Sequence, residues 1–275
     1  MKIVFINPPF TKYSGVEGHG GRVAPLNLGY LASYVREKKP SFKIDILDCE
    51  ALALSYDQTK KNLDSFNPDV VAITMTTPAY EHVVHVADIT KDLNKKISVI
   101  VGGPHPTALP EETLTEKSID FAIIGEGEIT LLELLEYIER SDTSYAQIKG
   151  LAYKDASGEI KKNEKRELIQ NLDSLPFPAK DILPVNNYYL PATKRITGGV
   201  STNMVTSRGC PFNCTFCRAN TVGGRQTRFR SIKNVVDEIE DVIKKYNVMD
   251  FTFHDEFFTA NRSRVLEFCN EIKKR

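Results

Sequence analysis

The sequence predicts an α/β fold that begins with a doubly wound sheet of five parallel strands and continues with further β/α units. Through the first 140 residues, short apolar runs alternate with amphipathic stretches of helical length, which is typical of a parallel sheet with helices on both faces. The segment 171–191 then carries four prolines and few helix formers, which indicates a linker. Beyond this linker the alternation of strands and helices resumes.

Each element of this prediction follows from a local pattern. The five strands are predicted at residues 2–7, 43–47, 70–74, 98–101 and 121–124. The helices that accompany them are predicted at 26–37, 57–66, 79–94, 111–117 and 129–140. A hairpin is predicted over 150–164, and the last part alternates strands at 202–206 and 250–254 with helices at 232–246 and 262–274. We therefore expect three units, residues 1–140, a hairpin and linker over 141–200, and a second domain over 201–275.

Composition excludes several classes of partner. Lys plus Arg and Asp plus Glu both total 36, so no basic field is available to hold nucleic acid. The longest apolar runs have the length of strands, and the N-terminus enters a strand without a cleavable signal pattern. Five cysteines, an odd number and mostly clustered, indicate a reducing compartment. We expect a cytoplasmic protein without a membrane span or a nucleic-acid partner.

The most specific motif is a cysteine cluster after the linker. Cys210, Cys214 and Cys217 lie within eight residues of a loop that also contains Gly209 and Pro211. Structural zinc sites need four ligands, whereas three cysteines can hold a four-iron cluster that keeps one iron open for an external ligand. The spacing favours the cluster. The alternatives are a zinc loop completed by a histidine such as His254, or three cysteines that are merely buried.

This motif resembles that of the radical S-adenosylmethionine (SAM) enzymes, whose three cysteines follow the first strand of a partial TIM-type barrel. The resemblance implies a [4Fe-4S] cluster on Cys210, Cys214 and Cys217, and SAM bound at the open iron. It also implies that Phe216 borders SAM, and that Asp255 and Glu256, at the end of the next strand, lie beside its amino group. Three arginines of the segment 221–230 are candidates to balance anionic cofactor groups, namely Arg225, Arg228 and Arg230.

The loops that follow the strands of the first domain suggest a second cofactor. In such a sheet, ligands lie outside the carboxyl ends of the strands, and here the loops ITMTTP, GGPHPTALP and GEGE occupy these places. In order, they resemble the Rossmann-like cobalamin-binding domain that precedes one class of radical SAM barrels. The resemblance implies that the following residues border the corrin or its nucleotide tail: Pro8, Gly21, Arg22, Thr74, Thr76, Gly102, Gly103, His105, Thr107, Gly125 and Glu126.

Other ligands fit this domain less well. No GxGxxG joins the first strand to its helix, which disfavours a nicotinamide site, and the first loop lacks the acidic pair of a receiver-like signalling domain. No histidine stands in the Asp-x-His-x-x-Gly motif of the better-known cobalamin domains. We therefore expect His105 to contact the ligand without being an axial ligand of cobalt.

Together these resemblances predict a cobalamin-dependent radical SAM enzyme with a small-molecule substrate and an external electron donor of the flavodoxin or ferredoxin type. Methyl transfer to an unactivated centre is the expected activity. The alternatives are an oxidative cyclase similar to the anaerobic Mg-protoporphyrin monomethyl ester cyclase, or a non-catalytic module that binds or senses cobalamin and iron–sulfur. The residues after Cys217 suffice for only two β/α units, so the chain is expected to be truncated and, by itself, inactive.

Overall fold

The computed structural model describes residues 1–10, 21–191, 193–194 and 196–275. Its main sheet contains the strands β1 (Lys2–Asn7), β2 (Lys43–Asp48), β3 (Val70–Thr74), β4 (Ser98–Gly102), β5 (Phe121–Ile123), β6 (Leu151–Lys154) and β7 (Ile160–Lys162). These seven strands lie in the order β2-β1-β3-β4-β5-β6-β7. The first five are parallel to one another, which confirms the doubly wound sheet that the sequence predicts.

The helices of this domain lie between the strands and after β5. They are α1 (Leu26–Lys38), α2 (Tyr56–Phe66), α3 (Tyr80–Leu93), α4 (Pro104–Ala108), α5 (Pro110–Thr113) and α6 (Glu128–Glu139). Local signals fix their ends. Ser55 and Gln58 form a reciprocal capping box at the start of α2, and Asn67, in the left-handed conformation, ends that helix.

Both faces of the sheet are covered. Along β1, Ile3 and Phe5 belong to one buried cluster and Val4 and Ile6 to another, because successive side chains of a strand point to opposite faces. All four of these side chains are almost fully buried. A strand buried on both faces has no polar side to alternate with, which explains the continuous apolar runs in the sequence.

Two features differ from the expected elements. The hairpin of β6 and β7 does not stand apart from the first domain, because β6 pairs antiparallel with β5 and extends the sheet. The helix expected at 111–117 lies earlier, at α5, and a further short helix, α4, precedes it. Prolines explain this shift, since Pro104 and Pro110 stand at the first helical positions and restart the chain as two short helices. The expected domain limits stay predictions.

The last part of the chain forms a β/α arrangement. It contains β8 (Val200–Met204), β9 (Ser207–Arg208), α7 (Asn220–Gly223), β10 (Arg228–Phe229), α8 (Ile232–Tyr246), β11 (Val248–Phe253) and α9 (Arg262–Lys274). β8 and β11 pair in parallel, and α8 connects them by packing Val235 and Ile239 against Met204. This agrees with the first units of a partial barrel. Within the described residues, no helix combines the length and the apolar character needed to cross a membrane.

Candidate cofactor site

The cysteine loop joins β9 to β10, which pair antiparallel and bring the two ends of the loop together. Gly209 stands at the start of the loop with a φ of 89°, and a Cβ atom there would lie 2.4 Å from the carbonyl oxygen of Gln226 and 2.7 Å from that of Gly223. The backbone N–H of Cys210 donates to the carbonyl of Gly224 at 3.1 Å. Only glycine fits position 209, and its close approach fixes the base of the loop.

The three thiols of this loop are unpaired. Cys210 is half-buried, whereas Cys214 and Cys217 are exposed. The Sγ atom of Cys217 accepts a hydrogen bond from the backbone N–H of Ala219 at 3.4 Å. Between Cys214 and Cys217 lies Phe216, which is 89% exposed. Exposed thiols without disulfide partners, together with an exposed aromatic ring on the same loop, fit a site that a cofactor completes.

The three thiols do not point to a common centre in the described structure. Among the residues that the structure describes, no three His, Cys, Asp or Glu side chains are arranged to hold a metal ion. The donor set still fits an iron–sulfur cluster, because such clusters take cysteine thiolates and these three come from one short loop. Cluster ligation by Cys210, Cys214 and Cys217 therefore stays a prediction. The other two cysteines differ, since Cys49 is buried, which raises its pKa to about 12, and Cys269 is exposed on α9.

The acidic pair after β11 divides into two different environments. Asp255 accepts hydrogen bonds from the backbone N–H groups of Thr206 and Ser207 at 2.7 and 2.6 Å, and from both of their hydroxyls. It thereby ties the end of β11 to the segment that leads into the cysteine loop. Glu256 remains exposed, and partial desolvation raises its pKa above the usual range. Contacts of either residue with SAM are still predictions.

Ion pairs connect the loop after β5 to the two arginines that flank the cysteine loop. The carboxylate of Glu126 accepts hydrogen bonds from Arg208 at 3.1 Å and from both terminal nitrogens of Arg228 at 2.9 Å. Glu128 pairs with Arg208 at 2.6 Å. Burial alone would raise the pKa of Glu126, but the bond from Arg228 and the charge of Arg208 outweigh it and lower this pKa. Glu126 is therefore an ionised interdomain contact.

The carboxyl ends of β3, β4 and β5 form a common edge. Thr74 lies opposite Gly102 in the pairing of β3 with β4. Gly103, with a φ of 116°, crosses so close to Met75 that a Cβ atom would lie 2.8 Å from the Met75 carbonyl oxygen. Thr107 joins the two following loops, because its hydroxyl donates to the Gly103 carbonyl and accepts from the Gly125 N–H. The structure thus brings Thr74, Gly102, Gly103, Thr107 and Gly125 together.

Gly125 is the most open of these positions. Its φ is 83°, and a Cβ atom there would meet nothing within 4 Å. Positive φ with free space on the side-chain face suits a loop whose backbone a large flat ligand approaches. Asn27, at the start of α1, reaches the same edge by donating to the Thr74 hydroxyl at 2.7 Å. The edge therefore fits a corrin.

The remaining expected corrin contacts differ in burial and in the partners that they already have. His105 is 2% exposed, and its Nδ1 shares a hydrogen bond with the Thr77 hydroxyl at 3.1 Å. Arg22 donates to the Ala51 carbonyl, and its backbone pairs with Tyr189 of the linker. Pro8 is buried after β1, and Thr76 is exposed after β3. Gly21 has a positive φ, and a Cβ atom there would lie 2.6 Å from the Pro191 side chain. Residues 14–20 of the same glycine-rich loop lie outside the described residues.

Sequence reasoning missed residues that join the two domains. Asn203 on β8 is buried, and its side chain exchanges two hydrogen bonds with the backbone of Ala24, at 3.1 and 2.9 Å. No signal in the sequence marks it, because it occupies an ordinary strand position. Arg208 could have been found, since it directly precedes the glycine of the cysteine motif.

The three arginines of the segment 221–230 also have other roles than expected. Arg228 is buried and forms an ion pair with Glu126. Arg230 is also buried, where it pairs with Glu238 and donates to the Val205 carbonyl. Lys180 of the linker lies 3.8 Å from the same Glu238. Only Arg225 remains on the surface, where it donates to Asn213 within the cysteine loop. Arg228 and Arg230 are therefore structural ion-pair residues, and the expectation that they balance cofactor anions was wrong.

Comparisons with known proteins agree with this architecture. The family model described as the B12 binding domain matches residues 16–135. An uncharacterised methyltransferase of Pyrococcus horikoshii is 37% identical over 275 residues, which are all of this chain and 57% of the relative. The anaerobic magnesium-protoporphyrin IX monomethyl ester cyclase of Rubrivivax gelatinosus is 32% identical over 281 residues, which cover 100% of this chain and 48% of the relative. The chain thus spans about half the length of these relatives.

A solved structure shows the same fold. The cobalamin-dependent S-adenosylmethionine radical enzyme OxsB, with aqua-cobalamin and S-adenosylmethionine bound, matches with a TM-score of 0.80 and 23% identity. The match covers 100% of this chain and 37% of that one. At this identity the likeness establishes the fold alone. None of these likenesses supports the expectation that residues 1–275 are inactive by themselves.

Proposed function

We infer that this chain, which belongs to the B12-binding-domain-containing radical SAM proteins, binds cobalamin, a [4Fe-4S] cluster and SAM for methyl transfer to an unactivated carbon or phosphorus centre. The observation that carries this proposal is a loop with three unpaired thiols whose base is tied by ion pairs to the B12-binding domain. The methyltransferase relative, 37% identical, favours methyl transfer.

Each residue of the candidate site would have a separate role in binding the cofactors. Cys210, Cys214 and Cys217 would hold the cluster, while Phe216 and Glu256, both exposed on neighbouring loops, would contact SAM. Asp255 keeps the end of β11 against the start of the loop, so that these contacts face one another. The bound groups would supply an electron that cleaves SAM and a cobalt centre that carries the methyl group.

The corrin would lie over the edge formed by β3, β4 and β5. The open face at Gly125 leaves room there for backbone contacts with a flat ligand, and Gly103 brings the loops after β3 and β4 close together. His105 is buried and directed toward Thr77, so we propose that cobalt has no nitrogen ligand from this residue. An external electron donor of the flavodoxin or ferredoxin type and a cytoplasmic location complete the proposal, since exposed thiols and a cluster need reducing conditions.

Cluster content tests the proposal directly. Anaerobic reconstitution should give about four irons and four sulfides per chain, and replacing Cys210, Cys214 or Cys217 by alanine should abolish this content. Cys269→Ala is the matched control, because Cys269 is exposed too but lies on α9, away from the motif. Stoichiometric zinc without sulfide, in protein purified without oxygen, would contradict the proposal and favour the zinc alternative.

The second candidate function is oxidative cyclisation, which the cyclase relative at 32% identity favours. Both reactions would release 5'-deoxyadenosine or S-adenosylhomocysteine from SAM, whereas a sensing module would release neither. The protein should therefore be assayed for both compounds and for the mass of the product. A mass gain of one methyl group supports methyl transfer, and a loss of hydrogen with ring formation supports the cyclase.

A further inference from the structure

Glu126 occupies a buried position between the candidate cobalamin edge and the cysteine loop. Its side chain is 6% exposed and that of Arg228 is 2% exposed. Besides the three arginine hydrogen bonds, its Oε2 atom accepts a bond from the backbone N–H of Ile169 at 2.9 Å. With Glu128 and Arg208, two acidic and two basic side chains balance their charges in this place. We call these four residues the interdomain clamp.

The clamp touches both ends of the cysteine loop. Arg208 immediately precedes Gly209, at the start of the loop. Arg228 donates to the carbonyl of Gly223 at 2.9 Å, and Gly223 lies at the end of the loop, against Gly209. A carboxylate that holds both arginines therefore fixes the separation of the two ends, from which the three thiols are displayed.

On its other side the clamp touches the cobalamin edge. Glu126 follows Gly125 directly, and the Gly125 N–H donates to the Thr107 hydroxyl at 3.0 Å. A ligand bound against the Gly125 backbone would shift or restrict Glu126, the next residue in the chain. Because Glu126 is buried and held by charged hydrogen bonds, its side chain cannot turn into solvent, so a change at Glu126 must be passed on to Arg208 and Arg228.

We propose that Glu126 is a positioning residue that couples the cobalamin edge to the cysteine loop through Arg208 and Arg228, instead of contacting the corrin itself. This inference rests on the proposed function, because it requires that cobalamin binds at that edge. Coupling between two sites is reciprocal. If cobalamin orders the cysteine loop, then a cluster that orders the loop should also strengthen the binding of cobalamin.

The test uses the full chain without a cluster, with and without methylcobalamin kept in the dark. Hydrogen–deuterium exchange is followed at two amides at the base of the loop. The Cys210 N–H donates to the Gly224 carbonyl, and the Gly224 N–H donates to the Asn220 carbonyl. In the unmodified chain we expect cobalamin to slow exchange of the Cys210 amide by roughly fivefold or more, the lower end of common coupling factors. In Glu126→Gln, cobalamin should still bind, and this slowing should disappear.

Two further variants keep the test sharp. Glu133→Gln removes another glutamate–arginine pair, with Arg166, from α6, which begins two residues after Glu126, and this pair does not involve Arg208 or Arg228, so the slowing by cobalamin should be retained. Arg208→Lys keeps the charge but cannot bridge Glu126 and Glu128 as a fork, so it should weaken the slowing even if Glu126→Gln folds poorly.

The outcomes separate the two proposals. Equal slowing in Glu126→Gln and in the unmodified chain would overturn the coupling while leaving the proposed function intact. Loss of cobalamin binding in well-folded Glu126→Gln would also overturn it, because Glu126 would then be a corrin contact. Failure of the unmodified chain to bind cobalamin would overturn the proposed function and the coupling with it.

Discussion

Replacing Asp255 by alanine should open the segment that leads into the cysteine loop. Asp255 accepts four hydrogen bonds from Thr206 and Ser207, at 2.6 to 3.0 Å. Both of these residues are buried, so water cannot readily replace the carboxylate. Asp255→Ala would leave two backbone N–H groups without an acceptor.

The size of the effect follows from these bonds. An unsatisfied buried donor costs about 1–3 kcal/mol, so the two N–H groups together cost roughly 4 kcal/mol in Asp255→Ala. Asp255→Asn keeps the Oδ1 acceptor in place and loses only the charge and one acceptor, which should cost about 1–2 kcal/mol. Since about 1.4 kcal/mol corresponds to a factor of ten, local opening should rise roughly a thousandfold in the first variant and about tenfold in the second.

Hydrogen–deuterium exchange at the amides of Thr206 and Ser207 measures this opening directly. The exchange of Ile100 and Val101 in β4 serves as the internal control, because these residues lie in the buried core of the other domain. Unchanged exchange at residues 206 and 207 in Asp255→Ala would refute the reasoning. If SAM binding were then lost in both variants, Asp255 would be a SAM contact and not a structural acceptor.

Two other predictions concern backbone strain and a buried carboxyl group. Gly209→Ala should lower the thermal midpoint more than Gly158→Ala. Both glycines have a positive φ, which costs an alanine about 1–2 kcal/mol. Only at position 209 would the new Cβ also meet backbone oxygens. Equal losses in calorimetry would contradict the close contact. Burial raises the pKa of Asp48, so its contribution to stability is present below the unfolded pKa and is lost as the pH rises through the folded one. Asp48→Asn should therefore raise the thermal midpoint at pH 7.5, with a gain that shrinks toward about pH 4. A lower midpoint at pH 7.5 would show that the bonds from Asn7, Ala51 and Tyr188 require the carboxylate.

The parallel sheet could be predicted from the sequence because its information is local. Strand β3 matches its predicted limits, and so do α8 and α9, whose apolar periods and caps lie within the element itself. The placement of the hairpin could not be predicted in this way. Its strands look alike whether they stand alone or pair with β5, and only the exposed edge of β5 decides between these arrangements.

The candidate site also contains residues that a local pattern predicts and residues whose partners lie far away in the chain. Cys210, Cys214 and Cys217 were found because their spacing is local, and Gly209 because a turn needs it. The partners of Glu126 and Asp255 lie 82 and 49 residues away along the chain, in Arg208 and Thr206, so no local pattern reveals them. A carboxylate in a strand-end loop looks the same in a sequence whether it meets a ligand or another part of the chain.

The number of bonds that each carboxylate already accepts bears on its remaining role. A carboxylate offers about four lone-pair sites. Asp255 accepts four hydrogen bonds, and Glu126 accepts four as well, three from arginines and one from Ile169. Both therefore have little capacity left for a cofactor. Glu256 differs, because no side chain of the described residues donates a hydrogen bond to it, and partial burial, together with the charge of Asp255, raises its pKa. A cationic amino group beside it would favour its ionised form, so of the two acids after β11 we expect Glu256 to bind the SAM amino group while Asp255 holds the loop that carries the thiols.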